Sequence, residues 1–114
     1  MKKISLILLA LGICAGAFGA HALKGAVTPE RLEVFITASY YQMIMSLVLF
    51  TLTKEDQIKL WTLRLLAFGI IVFSFSLYLL VILNYSKLGI ITPIGGLSMI
   101  LAVIFAAVQV KSSN

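Results

Sequence analysis

The chain has 114 residues, 61% of them hydrophobic and 11% charged, with nine Lys and Arg against four Asp and Glu for a net charge of +5. A soluble domain carries about 25% charged residues, so these proportions exclude an ordinary water-soluble core and leave a membrane protein. The cations are scattered over ends and connections and never form a patch interleaved with exposed aromatics, which argues against nucleic acid as a partner.

Crossing a bilayer takes an apolar run of about 20 residues, and the chain has room for four: about 4–22, 31–53, 61–83 and 89–110. The expected fold is therefore all-α, an integral membrane four-helix bundle with short connections, forming one four-span domain over 1–114. Lipid is its immediate surroundings. Other membrane proteins or further copies of the chain are the remaining classes of partner.

The first span begins Met1-Lys2-Lys3 and ends near Ala20-His21-Ala22, the grammar of a secretory signal with a small-x-small site. Its length and glycine patterning favour a retained span. Gly12, Gly16 and Ala20 recur at i, i+4 and i+8, with Gly19 on the adjoining edge, so one face lacks bulk and admits a neighbouring helix backbone. Cys14 sits inside this run and offers no disulfide framework. His21 is a candidate functional residue at the span's end, placed to bind metal, to titrate, or to cap the last carbonyls. Cys14, Met43 and Met45 are soft sulfur donors, but one histidine with them makes a poor ligand set, and neither a metal nor another cofactor is expected.

Thr28-Pro29 predicts the start of the second helix, with Thr28 as N-cap, Pro29 at the first position, and Glu30 and Glu33 near the positive helix end. Ser39, Gln42, Ser46 and Thr53 then fall on one polar stripe, which should face other helices rather than lipid. Lys54 to Lys59 form a charged connection. Trp61, Arg64 and later Tyr85 stand where interfacial anchors are expected. In the third span Ala67, Ile71, Ser74 and Tyr78 follow helical spacing, with Ser76 elsewhere on the circumference.

The fourth span opens with Thr92-Pro93, which repeats the cap chemistry of Thr28-Pro29, and carries Thr92, Gly95, Met99, Ala102 and Ala106 on one face, with Gly96 beside it. The two G-x-x-T-P runs, Gly25 to Pro29 and Gly89 to Pro93, would fit duplication of a two-helix hairpin. They are equally what two good helix starts look like. Lys2, Lys3, Lys54, Lys59, Arg64 and Lys111 lie on one side of a four-span chain, and Lys24, Arg31 and Lys87 on the other. That split predicts both termini in the cytoplasm of a bacterial inner membrane.

No acidic residue falls mid-span, which argues against proton-coupled export. No nucleophile–base pair, acidic metal cluster or phosphate loop is present in the pattern, so the chain is not expected to be an enzyme. Ser39, Gln42, Ser46, Ser74 and Tyr78 form the candidate polar cluster. It reads either as hydrogen-bonding glue between helices or as the lining of a neutral path for a small solute.

Four runs carry a family resemblance: Gly16-Ala17-Phe18-Gly19-Ala20-His21-Ala22-Leu23-Lys24, Tyr41-Gln42-Met43, Phe73-Ser74-Phe75-Ser76-Leu77-Tyr78 and Thr92-Pro93-Ile94-Gly95-Gly96-Leu97. In this order and at these separations the chain resembles the YgdD-like family, small four-helix bacterial membrane proteins classed as a domain of unknown function. The resemblance implies the four-span fold and a retained first helix, and implies no activity. This chain departs from the family pattern at Met45, where a histidine is usual, at Phe75, where glycine is usual, and at Ala102-Val103, where a tryptophan is expected. Any paired-histidine site would lack half its ligands here, and Phe75 implies either a looser helix approach or a ring filling space.

The leading expectation is a non-catalytic accessory or assembly protein. A small channel or transporter and a binder of lipid or quinone are the alternatives.

Overall fold

The computed structural model describes residues 1–110. Lys111, counted above for orientation, lies outside the described residues. Among these the structure is helical throughout: α1 (Lys2–Cys14), a π turn (Ala15–Gly19), α2 (Ala20–Leu23), α3 (Pro29–Leu52), α4 (Leu60–Leu83), a 3-10 turn (Ser86–Ile90) and α5 (Thr92–Gln109). Four continuous stretches are long and apolar enough to cross a membrane: Lys2–Leu23, Pro29–Leu52, Leu60–Leu83 and Ser86–Gln109. The fold is all-α with four membrane-length helices, as the hydropathy pattern predicts.

The spans pack in chain order. The first lies on α3, α3 on α4, and α4 on α5, and these three interfaces hold the principal contacts between spans. Helix α4 is therefore the most enclosed, with ten buried residues that include Leu66, Gly69, Ile70, Ser74 and Tyr78. In the first span only Ser5, Leu8 and Gly12 are buried. The apolar outer surfaces of all four spans are what a bilayer requires, because lipid is as apolar as the side chains it meets.

Local chemistry sets the helix limits. Thr28 has extended backbone and its Oγ1 accepts from Arg31 N at 3.3 Å, with Pro29 following at the first helical position. Helix α4 ends where Asn84 turns left-handed at φ 54°, which lets the Tyr85 N–H return to Leu80 O. The Arg31 guanidinium also donates to Leu80 O, at 3.0 Å. That bond ties the start of α3 to the end of α4 through a carbonyl that already accepts from the Asn84 and Tyr85 N–H groups.

Four expectations need correction. The first span is not a uniform α-helix: at Ala15–Gly19 the Ala20 N–H reaches back five residues to Ala15 O. The extra residue widens one turn of the helix, while Gly12 and Gly16 still face α3 and Ala20 is half-buried beside Phe35. Thr92 does not cap α5. The 3-10 turn leads directly into the helix, the backbone before Thr92 is already helical, and the hydroxyl bonds instead to Ser76 Oγ at 2.6 Å. The two G-x-x-T-P runs consequently fold differently, since Gly25 takes φ +85° in an open turn while Gly89 lies within the 3-10 turn, and the structure offers the duplication no support. Ile71 points outward and the buried position is Ile70, because the face of α4 turned to its neighbours runs through 67, 70, 74, 78 and 81.

Candidate functional site

Gln42, near the middle of α3, joins three helices. Its Nε2 donates to Leu8 O of α1 at 2.7 Å, and its Oε1 accepts from the Tyr78 hydroxyl of α4, also at 2.7 Å. Leu8 O is an ordinary helical carbonyl, and it is reachable because Gly12, one turn on, has no side chain to cover it. A Cβ at Gly12 would stand 3.3 Å from Gln42 Cγ and 2.9 Å from Met43 Cγ. The glycine thus opens a carbonyl lone pair to a neighbouring helix.

Around this centre the other polar groups are used locally. Ser74 Oγ donates to Ala38 O across the α3–α4 interface at 3.0 Å, whereas Ser39 Oγ turns back to Ile36 O of its own helix. Ser46 is fully buried, and its hydroxyl has no partner among the described residues. Thr53 lies at the end of α3, half-buried, with its hydroxyl on Phe50 O. The five candidate residues Ser39, Gln42, Ser46, Ser74 and Tyr78 are all buried, but only Gln42 and Tyr78 bond directly to one another.

Aromatic rings close over the pair. Phe35 packs on Tyr78 with ring centroids 4.8 Å apart, and Phe75 meets the same ring edge-on at 5.6 Å. Phe75, the departure from the family's glycine, thereby fills space beside the Tyr78 ring. With both ends of the Gln42 amide engaged and Tyr78 buried, the pair ties the first span, α3 and α4 together.

The glycines divide into two kinds. Gly12, Gly16 and Gly19 face Met43, Ser39 and Phe35 of α3, chiefly their side chains, with Met43 N also 3.3 Å from a Cβ at Gly12. Ala20 is half-buried against the Phe35–Tyr78 cluster. Gly95 instead meets backbone: a Cβ there would lie 2.8 Å from Phe73 Cα and 2.9 Å from Gly69 O, with Phe73 N closer still. Gly69 answers it across α4–α5, 2.9 Å from Gly95 O by the same construction. Gly96 has only the edge of the Phe73 ring nearby, at 3.6 Å, and takes no part in the close approach.

Sequence reasoning missed Gly69, whose apolar flanks hide it, and Gln109. The Gln109 Oε1 accepts from Lys59 N and Thr62 Oγ1, each at 2.9 Å, and so caps α4 from the end of α5. Helical spacing from Gly95 gives no hint of Gly69, but a search for small residues in α4 would have found it. His21 is exposed at the end of the first span and is not part of the polar cluster. Among the described residues no three His, Cys, Asp or Glu side chains gather as a metal site.

The protein-family model described as "Protein of unknown function (DUF423)" matches residues 15–96. The UPF0382 membrane protein YwdK of Bacillus subtilis is 40% identical over 111 residues, covering 90% of this chain and 89% of the relative. A UPF0382 membrane protein of Staphylococcus aureus is 40% identical over 108 residues, covering 87% and 88%. One from Staphylococcus epidermidis is 38% identical over the same length and shares. No solved structure matches the chain.

Proposed function

Because the chain belongs to the DUF423 family, whose members are membrane proteins of unknown function, we propose a role from geometry: a non-catalytic accessory or assembly protein of the bacterial inner membrane, with both termini in the cytoplasm. The observation that carries this reading is the first span. It packs chiefly on α3 and turns the rest of its circumference outward, including Ala10, Cys14 and Ala17 at helical spacing. Small residues at such spacing favour helix association in lipid. The polar side chains available for chemistry or transport, Gln42, Ser74 and Tyr78, are engaged in hydrogen bonds inside the bundle.

Native mass spectrometry of the tagged protein, extracted in mild detergent from its own membrane without overexpression, tests the proposal. A stoichiometric membrane-protein partner is the expected result, lost when Ala10 and Ala17 are both replaced by Leu. A chain that emerges bare, with or without a second copy, overturns it. Single cysteines near residues 3 and 57, in a Cys14→Ser background, check orientation: both should be shielded from a membrane-impermeant thiol reagent applied outside.

A further inference from the structure

Tyr40 and Tyr41 stand at the centre of α3, with twelve residues of the helix before Tyr41 and eleven after it. They are 59% and 48% exposed, and neither hydroxyl makes a hydrogen bond among the described residues. Tyrosine belongs at the membrane interface, where its hydroxyl meets water. From the midplane its side chain is too short to reach there, so each hydroxyl sits in hydrocarbon without a partner.

Tyr41 differs from Tyr40 in what lies beside it. Its ring meets Phe73 edge-on at 5.0 Å and forms one wall of a groove of about 480 Å³. The groove runs between Tyr41 and Met45 of α3, over Phe73 of α4, to Gly96, Ile100 and Val103 of α5, and Tyr41 carries the only hydroxyl on its lining. Ile100, with fourteen residues of the Ser86–Gln109 span before it and nine after, lies within the membrane interior on the other side. The volume suits a small molecule, and an apolar lining with one polar group is how such sites hold their ligands.

Glycerolipid tails would fill the groove but bring no acceptor to this depth, since their ester carbonyls lie at the interface. Another helix is poorly suited, because Ile100, Val103 and Met45 form a bulky rim where close helix approach needs small residues. We propose that the groove binds an elongated apolar molecule bearing a ring carbonyl, of the prenyl-quinone class, with Tyr41 donating its hydroxyl to that carbonyl. The site stands apart from the outward face of the first span, and its occupancy does not depend on an assembly role.

The test is equilibrium binding of 2,3-dimethoxy-5-methyl-6-decylbenzoquinone to the full chain in nanodiscs of one synthetic phospholipid, with empty discs as baseline. The ring of this probe is fully substituted and so has no open position for conjugate addition by the exposed Cys14 thiol. Saturable binding of one molecule per chain is expected. Tyr41→Phe should weaken it roughly 3- to 10-fold, the worth of one hydrogen bond. Gly96→Leu should abolish saturation with the thermal midpoint retained, since a Cβ there meets the Phe73 ring at ordinary contact distance and the longer side chain fills the groove. Decylbenzene, which has no carbonyl, should only partition. Binding no greater than in empty discs, equal affinity in Tyr41→Phe, or saturable uptake of decylbenzene would each overturn the proposal. A disulfide between two copies of a Tyr41→Cys, Cys14→Ser variant would assign the groove to a second chain and overturn it equally.

Discussion

The α4–α5 interface and the contact of the first span with α3 are both built on glycine, and they use it for opposite ends. Between α4 and α5, Gly69 and Gly95 bring two backbones together, and each glycine's missing Cβ is replaced by the other helix's main chain. Between the first span and α3, Gly12, Gly16 and Gly19 face mainly side chains, and the opening at Gly12 admits a polar group that reaches the Leu8 carbonyl. Close packing is the stabilising term in the first case and a satisfied hydrogen bond in the second. A small-residue stripe in a membrane sequence therefore has no single meaning.

If that distinction is right, the same substitution should differ sharply in cost between the two. Gly95→Ala forces a methyl group against Phe73 and Gly69 main chain, which cannot move aside, and should destabilise by about 3 kcal/mol or more. Reversible unfolding in mixed micelles would read this, and a cost under about 1 kcal/mol would remove the backbone contact from the account. Gln42→Leu leaves the buried Tyr78 hydroxyl without an acceptor, and about 1–3 kcal/mol is expected. Adding Tyr78→Phe should recover part of that, with a coupling of about 0.5–2 kcal/mol in a double-mutant cycle. Additive effects would mean that the two groups do not act as a pair.

Gly12→Ala is the milder counterpart of Gly95→Ala. Its nearest obstacle is the flexible Met43 side chain, so about 1 kcal/mol is expected, with faster hydrogen exchange at Leu8 to Gly12 as the Gln42 bond lengthens. Gly96→Ala should be silent within about 0.5 kcal/mol, because an added methyl finds ordinary contact distance to Phe73. Measured side by side, Gly95 and Gly96 give the largest and smallest effects at neighbouring positions. Equal effects would indicate a different rotation of α5.

Much of this was legible in the sequence, for reasons that stop at a definite point. Thr28-Pro29 fixes a helix start through its own side chain, and Ser39, Gln42 and Ser46 share a face whatever packs against them. Which groups meet across an interface depends on the rotation and pairing of helices, which spacing does not encode. The acceptor of Gln42 is a main-chain carbonyl, and every residue has one. The π turn was equally hidden, since its five residues are glycine and alanine around one Phe and fit a regular helix just as well. Thr92 misled because Thr-Pro is a sound cap signal that Ser76, from another helix, outcompetes.

The order of packing has a consequence for how the molecule is made. Each span rests on the one that precedes it in the chain, so during synthesis every helix entering the bilayer finds its partner already there. No segment waits for a distant one to emerge, and the contacts that close the structure join neighbours in time as well as in sequence. The first span, like α5, remains largely uncovered when the last has docked, and its outward face is in the membrane from the earliest stage, available before the rest of the chain is complete.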